Sequence, residues 1–327
     1  MASGRLDTCL PYVSWLGRAV ARLMEDSECD CILLSGGVDT GFLAVASHLY
    51  GRGLERAYTV VGGSGRDYGL ASSLASKLGL RHRVIMLERS TVFPALDFAL
   101  STLRVADPVE VAGATSIALG LIHAKSDGCR CVVTGDGGDE LFLGYDFLHS
   151  KPLSELSAWR KRMAEGLAFF NSKPLASTLG VRLCTPLYHE AVRKASLRVP
   201  LDCLIGEAPQ GGRTGKLVLR LFLEYTGFPG HAWQEKRPVT SGSGILGFLE
   251  SLASGSKKVE GWEPSGLHAF LMARMRELGI EYPGPCWDES RRCPVCGRCL
   301  IGNRCPFCGA YIGDGGVSVY KGLGGEV

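Results

Sequence analysis

Apolar positions along the chain switch between a helical and an extended period. Over residues 1–28, Leu16, Val20 and Leu23 recur at helical spacing and predict a helix with polar ends. "CDCILLS" is a compact apolar run and predicts a strand. "GGVDT" then opens a second helix, with Phe42, Val45, Ala46 and Leu49 on one face. "ERAYTVVGG" predicts a strand ending in glycines, "DYGLASSLASKLGL" a helix stopped by Gly79, and "RHRVIML" a strand. "AGATSIALGLIHAKSDG" predicts a helix and "CRCVVTG" a strand. This alternation, through about residue 140, predicts an α/β domain with a parallel sheet. Ligands of such sheets bind beyond the carboxyl ends of the strands. Two glycine–acid turns fall at that edge.

From 150 to about 255 the pattern is mostly helical, with loops at 205–216 and 229–244. "PSGLHAFLMARMREL" predicts a further helix over 264–278, with Ser265 at its cap. A cysteine module and a glycine-rich tail follow.

Composition narrows the class. The chain has 327 residues, 46% of them hydrophobic, which supports a sizeable core. A net charge of +3 is too mild to argue for nucleic acid by itself. No run approaches the ~18 apolar residues of a membrane helix. The segment "MASGRLDTCLPYVSWLGRAV" does not read as a signal peptide, so a cytoplasmic protein without a membrane partner is expected. Glycine is abundant, at 44 residues. Of thirteen cysteines, six fall between Cys286 and Cys308. Disulfides are not expected in a reducing cytosol, outside hyperthermophiles, and clustered cysteines there read first as a metal site.

The first turn, "LLSGGVDTG", lies between a strand and a helix. Consecutive small residues let backbone N–H groups converge on an anion, and the helix start adds its positive end. Ser35 and Thr40 offer hydroxyl donors. Asp39 would repel a bare phosphate, which points to Mg²⁺ between them. The turn is neither the G-x-x-x-x-G-K-[ST] loop nor the G-x-G-x-x-G fingerprint. The second turn, "VVTGDGGDELFLGY", carries three carboxylates.

The first turn resembles the pyrophosphate loop of the ATP pyrophosphatases. The second is similar to a signature of the synthetase domain of the asparagine synthetase family. The resemblance covers roughly residues 10–255. It implies a parallel-sheet fold of the adenine nucleotide alpha hydrolase type with a helical C-terminal part. It implies that Leu34, Ser35, Gly36, Gly37, Asp39, Thr40, Thr134 and Gly135 line ATP, with Val60 and Val61 near the adenine. Asp39 and Asp139 would hold Mg²⁺. Asp136 would face the activated substrate, and Glu140 joins the candidate catalytic set. "WQEKRPVTSGSG" resembles the loop bearing the family's catalytic lysine, which places Lys236 beside the α-phosphate.

Two departures stand out. The family's N-terminal glutaminase domain has no counterpart before the first turn, so free ammonia, a separate glutaminase subunit or another nucleophile is expected. The family's Arg-x-Pro-Phe-Leu-Asp stretch, near its aspartate site, reads "GVRLCTPLYHEAV". Cys184 stands at the arginine position and His189 at the acid, with Arg182 two residues earlier.

"CPVCGRCLIGNRCPFCG" holds two Cys-Pro-x-Cys-Gly knuckles, Cys293/Cys296 and Cys305/Cys308, eight residues apart. They read as a zinc ribbon with tetrahedral Cys₄ coordination, a structural site, with iron in a rubredoxin-like site as the competitor. Cys286 and Cys299 are spare. "CDC" and "CRC" read as buried, inert cysteines rather than a redox pair. "WRKRM" reads as a solvated helix face.

The expected organisation is an ATP pyrophosphatase domain over 1–255, a helical connector over 256–285, a zinc ribbon over 286–312 and a flexible tail over 313–327. The reading is an ATP-dependent carbon–nitrogen ligase that adenylates a carboxylate, aspartate or related, and then amidates it. Its cofactors are ATP, Mg²⁺ and Zn²⁺. The alternative is a tRNA-modifying, thiolation-type enzyme that uses the ribbon to bind RNA. A non-catalytic ATP sensor is a third reading, and the intact Asp39, Asp139 and Lys236 argue against it.

Overall fold

The computed structural model describes residues 2–63, 67–235, 238–254, 266–313 and 315–320. Its centre is a five-stranded parallel sheet in the order β3-β2-β1-β4-β5. The strands are β1 (Cys31–Leu33), β2 (Arg56–Val61), β3 (Arg81–Met86), β4 (Cys131–Val133) and β5 (Arg182–Cys184). β1 pairs in parallel with β2, Ile32 opposite Ala57, and with β4, Ile32 opposite Val133. β4 pairs in parallel with β5, Val133 opposite Cys184. β2 is Arg-Ala-Tyr-Thr-Val-Val, buried at its last five residues. A sheet covered on both faces favours such continuous β-branched and apolar runs.

The helices of the first half are α1 (Ala2–Asp26), α2 (Val38–Tyr50), α3 (Asp67–Lys77), α4 (Arg89–Leu103) and α5 (Pro108–Ser126). A short α6 (Gly138–Leu141) is followed by α7 (Leu153–Ala164), α8 (Ser172–Leu179), α9 (Glu190–Ser196) and α10 (Leu217–Tyr225). Then come α11 (Pro229–Ala232), α12 (Val239–Gly242), α13 (Ile245–Ala253) and α14 (Gly266–Glu277). Two small antiparallel ribbons complete the chain, β6 (Gly206–Glu207) with β7 (Arg213–Thr214), and β8 (Tyr311–Gly313) with β9 (Gly316–Ser318).

The chain forms two compact units that do not follow chain order. The first comprises residues 1–59, 67–84 and 123–237, and the second 60–66, 85–122 and 238–327. In the first unit α1, α2 and α10 share a core, where the Phe42 and Phe222 rings meet edge to face at 4.8 Å. In the second, α4 and α14 are joined by Arg274, whose guanidinium reaches both oxygens of Asp97 at 2.6 and 2.5 Å.

The parallel α/β expectation holds, and three differences have physical causes. α4 does not stand out in the apolar pattern because Pro94 lies inside it; a reciprocal capping box between Glu88 and Thr91 starts it. β5 interrupts the mostly helical stretch from 150 to 255. It is only Arg-Leu-Cys, too short to show a period, and is added as a sheet edge. The third correction is to the cysteines. Among the described residues three disulfides are present, Cys9–Cys203, Cys31–Cys129 and Cys286–Cys299. Their Cα separations of 5.5, 6.0 and 4.7 Å lie in the range that a bridge needs. Cys286 and Cys299 are therefore partners rather than spare. The first two bridges join residues far apart in sequence, which no spacing rule reveals. Ser265 lies outside the described residues. Among the described residues no single helix is long and apolar enough to cross a membrane.

Candidate active site

At the carboxyl end of β1 the chain turns through Ser35, Gly36 and Gly37 into α2. Two hydroxyls hold the turn. The Ser35 N–H donates to Thr40 Oγ1 at 3.2 Å, and the Thr40 hydroxyl donates to the Ser35 carbonyl at 3.2 Å. The Gly37 N–H donates to Ser35 Oγ at 3.1 Å. Asp39 sits in the first turn of α2, where the helix dipole favours a carboxylate. Leu34 is buried at the end of the strand.

The second turn follows β4. Thr134 and Gly135 leave the strand, Gly137 adopts a left-handed φ of 96°, and α6 carries Asp139 and Glu140. Gly138 permits the close approach of the two turns. A Cβ there would collide with the Asp39 carboxylate. At Gly135 a Cβ would stand 3.0 Å from the Asp39 Cβ. The two acidic turns are therefore pressed together through glycine.

Such an approach brings like charges together, and a cation offsets them. Lys216 Nζ lies 2.5 Å from Asp39 Oδ2 and 3.0 Å from Asp139 Oδ1. Its side chain is 6% exposed. Burial pulls the ammonium pKa down, but the attraction of Asp39 and Asp139 outweighs it and the net shift is upward, so the group is charged. Lys216 caps α10 with a left-handed φ of 59°, and its N–H donates to the Phe142 carbonyl at 2.8 Å. Arg220, also buried, donates to the carbonyls of Gly215 at 3.0 Å, Ala232 at 2.6 Å and Gln234 at 3.1 Å. It fixes the backbone on both sides: just before Lys216, and just before the segment that holds Lys236.

Asp136 is held by the hydroxyls of Thr134, at 2.8 Å, and Ser172. Burial raises its pKa against those hydrogen bonds. Glu140 accepts from the Tyr145 hydroxyl at 2.5 Å, and burial raises its pKa as well. The Trp159 indole N–H donates to the Glu140 carbonyl at 2.9 Å.

The structure thus gathers Asp39, Gly135, Gly138 and Asp139 around Lys216. Thr134, Asp136 and Glu140 lie on the same second turn. Val60 and Val61 end β2, buried, and belong to the second unit. Lys236 lies outside the described residues. Arg182 does not replace the family's arginine: it donates to the Ser27 carbonyl at 2.8 Å and meets Glu28 at 3.4 Å. The His189 imidazole caps α9, accepting from the Ala191 N–H at 3.3 Å. Sequence reasoning missed Lys216. Its sequence signal is a lone cation, after Gly215, at the head of the apolar run Leu217–Leu219.

The ribbon lies within the second unit. Cys293, Cys296, Cys305 and Cys308 bring their Sγ atoms within 4.8 Å of one another. The Cys293–Cys308 and Cys296–Cys305 sulfurs are 3.8 and 3.5 Å apart. A tetrahedron with Zn–S of ~2.3 Å has edges of about 3.8 Å, so the donor set fits one tetrahedral ion. The second knuckle is anchored to its surroundings. The Ala106 N–H donates to the Phe307 carbonyl at 2.8 Å, His268 Nε2 bonds the Cys308 carbonyl at 3.0 Å, and Arg304 pairs with Asp107 at 2.8 Å and Glu110 at 2.7 Å.

A parallel sheet with an SGG-x-D turn at its carboxyl edge, a second acidic turn closed onto it through glycine and a buried lysine between them defines a nucleotide-binding α/β protein of the pyrophosphate-loop type. The asparagine synthase family profile matches residues 13–240, and the chain belongs to that family, whose members are ATP-utilising enzymes. It is similar to a glutamine-hydrolysing asparagine synthetase of Asparagus officinalis, 30% identical over 42% of this chain and 24% of that protein. It is also similar to asparagine synthetase B of Escherichia coli K12, 24% identical over 65% of this chain and 41% of that protein. The chain thus spans between about a quarter and two fifths of the length of these relatives. Among solved structures, NMN synthetase from Francisella tularensis aligns with a TM-score of 0.38 and 14% identity, covering 84% of this chain and 99% of that one. The U34-tRNA thiolase NcsA from Methanococcus maripaludis, with its [4Fe-4S] cluster, aligns with a TM-score of 0.33 and 11% identity, covering 90% and 85%. At these scores neither bears on substrate or cofactor.

Proposed function

We propose that the chain is an ATP-dependent ligase that adenylates a carboxylate, releases pyrophosphate and passes the activated acyl group to ammonia or another nitrogen nucleophile. The observation that carries this reading is the Asp39–Lys216–Asp139 arrangement between the two turns. Two hard carboxylate donors with one ammonium between them keep a net negative charge, which suits a divalent ion. Mg²⁺ held by Asp39 and Asp139 would offset the charge of the triphosphate and the departing pyrophosphate.

The chain's own residues do the rest. Lys216 keeps the two carboxylates together before nucleotide arrives and supplies a buried positive charge at the phosphate turn. Lys236 stabilises charge developing at the α-phosphate. Arg220 holds the backbone at Ala232 and Gln234, just ahead of it. Asp136 and Glu140 face the acceptor. In the ribbon, four cysteines fill the coordination of one zinc ion, which is structural because no position stays open. Free ammonia, a glutaminase partner or another nucleophile supplies the nitrogen.

The engagement of Arg182 with Ser27 and Glu28 favours an acid related to aspartate over aspartate itself. It also keeps a second reading in play, in which a tRNA base carbonyl is adenylated. The basic helix α7 supports that reading, since its Trp159 touches Glu140. Against it, Arg160 is spent on the Ser196 and Val199 carbonyls, both at 2.7 Å, which leaves Lys161 and Arg162 as the exposed cations of that cluster.

ATP–pyrophosphate exchange across a panel of amino acids and related carboxylates, with tRNA as a separate arm, tests both readings. Exchange that depends on one acid, and is abolished by Asp39→Ala or Asp139→Ala, is the expected result. AMP release with tRNA alone moves the assignment to RNA modification. Silence in every arm, or turnover that survives both substitutions, overturns the site.

A further inference from the structure

Five cysteines gather in the first unit, none of them part of the ribbon. Cys31 and Cys129 are bonded, joining the start of β1 to the approach to β4. Two residues before Cys31 and two residues after Cys129, Cys29 and Cys131 place their sulfurs 3.0 Å apart without a bond. Cys184, the last residue of β5, lies in register with Val133, two residues along β4 from Cys131, and its thiol interacts electrostatically with those of Cys29 and Cys131. Cys131 is buried, while Cys29 and Cys184 are half-buried.

We propose that Cys29, Cys131 and Cys184 form a dithiol–disulfide exchange centre, in which Cys29 and Cys131 close a second bridge beside Cys31–Cys129 and Cys184 is the thiolate that reopens it. Three observations support the assignment. The 3.0 Å spacing is shorter than both ribbon edges, 3.5 and 3.8 Å, and shorter than the ~3.8 Å edge of a thiolate tetrahedron, so it lies on the way to a bond rather than to a metal. The second bridge is nearly free of entropic consequence. Cys31–Cys129 already closes a loop of 98 residues, so the added ring constrains only the two-residue steps on either side. A bridge that adds little to stability is one that can open and close. Finally, the three thiols share one proton network that lowers the Cys184 pKa and raises those of Cys29 and Cys131, so Cys184 is the first of the three to ionise.

The electrons balance with a small disulfide, such as oxidised glutathione, as oxidant. One thiol of the pair, losing its proton as it attacks, expels one reduced thiol. The second thiol then attacks the mixed disulfide in the same way and expels the other. Two protein thiols are oxidised, one external disulfide is reduced, and two protons end on the expelled thiols. In reopening, the Cys184 thiolate attacks Cys131 Sγ, the Cys29–Cys131 bond breaks, and Cys29 leaves as the thiolate and takes up a proton. That internal exchange moves no net electrons and leaves a Cys131–Cys184 disulfide, which two external thiols such as reduced glutathione then reduce, releasing their own disulfide and returning the three protein thiols. Nothing in this chemistry depends on ATP.

The test uses the full chain equilibrated in glutathione buffers of stepped oxidised-to-reduced ratio. Samples are acid-quenched, alkylated in two isotopic steps and mapped by peptide mass spectrometry. The expected result is a Cys29–Cys131 linkage that appears and disappears reversibly while Cys31–Cys129 stays closed. A Cys131–Cys184 linkage should appear as a minor species. In Cys184→Ser that minor species is absent and reopening by added reduced glutathione slows about tenfold. Free Cys29 and Cys131 at the most oxidising ratio would overturn the proposal. So would a metal bound in equal amount that shields all three thiols and is lost in Cys29→Ser. The wild-type titration stands without any variant, so a folding defect in a substituted chain cannot mask the answer.

Discussion

The two acidic turns and the cysteine ribbon solve one problem in opposite ways. Each presses like ligands together, two carboxylates in the first unit and four thiols in the second. The ribbon draws all four from one 16-residue stretch, Cys293 to Cys308. The acidic pair draws its charge balance from Lys216, 177 residues beyond Asp39. A local motif carries its own instructions. A cation supplied across the fold holds two motifs in place but leaves no mark beside either.

The sharpest way to break this comparison is to test the structural metal proposed for the ribbon. Structural zinc contributes on the order of 10 kcal/mol in zinc-finger peptides. A strong chelator, or Cys305→Ser, should release one metal equivalent per chain by elemental analysis. Hydrogen exchange should then lose protection at the knuckle amides, such as the Gly309 N–H bonded to Cys305, while α1, α2 and α10 keep theirs. Protection lost equally in both units would show that the ribbon is not a local module.

The next largest effect belongs to Lys216. Lys216→Met removes the cation and leaves two carboxylates facing each other. Breaking a buried pair in this way costs about 3–5 kcal/mol. Urea unfolding should show that loss, and ATP–pyrophosphate exchange should fall to background. Added Mg²⁺ should restore more stability to the variant than to the wild type, because the ion takes over the charge balance. Equal Mg²⁺ effects on the two proteins would dissociate Lys216 from the cation site.

Gly138→Ala tests the same contact from the glycine side. The added Cβ meets the Asp39 carboxylate. Overpacking of this kind costs about 1–3 kcal/mol. The matched control is Gly63→Ala, where a Cβ meets nothing within 4 Å. Thermal unfolding should separate the two variants, and nucleotide binding should weaken only in the first.

How much of this was legible in the sequence follows from the same contrast. The alternation through residue 140 gave away the parallel sheet because each of its units is local: an apolar run, a turn, an amphipathic helix. Asp39 and Asp139 stood out because glycine and acid recur on one turn. The ribbon stood out because its knuckles repeat. β5 was hidden because three residues carry no period, and the helix over Arg89–Leu103 because Pro94 lies inside it. The Cys9–Cys203 and Cys31–Cys129 bridges were hidden because their partners meet only after the fold forms. Lys216 was hidden for that reason too: a lone lysine before Leu-Val-Leu reads as a helix start, and only the tertiary structure supplies its two acids.

The smallest effect concerns Asp136, and it separates a residue kept for chemistry from one kept for stability. Burial raises its carboxyl pKa in the folded chain, despite the hydroxyls of Ser172 and Thr134. The folded protein therefore holds that proton more tightly than the unfolded chain does. Stability from this proton is fully present below the unfolded pKa of about 3.9 and is lost as pH rises through the higher folded value. At neutral pH the buried charge is a net cost, worth about 1.4 kcal/mol for each unit by which the two pKa values differ. Asp136→Asn keeps a group that can accept from both hydroxyls and carries no charge. It should unfold at a higher temperature than the wild type at pH 7, and the gap should close as the pH is lowered past the folded pKa. Exchange activity should fall in the same variant, as the acceptor-facing role proposed for Asp136 requires. A variant no more stable at pH 7 than at pH 4, relative to wild type, would show that Asp136 is not held against its own burial.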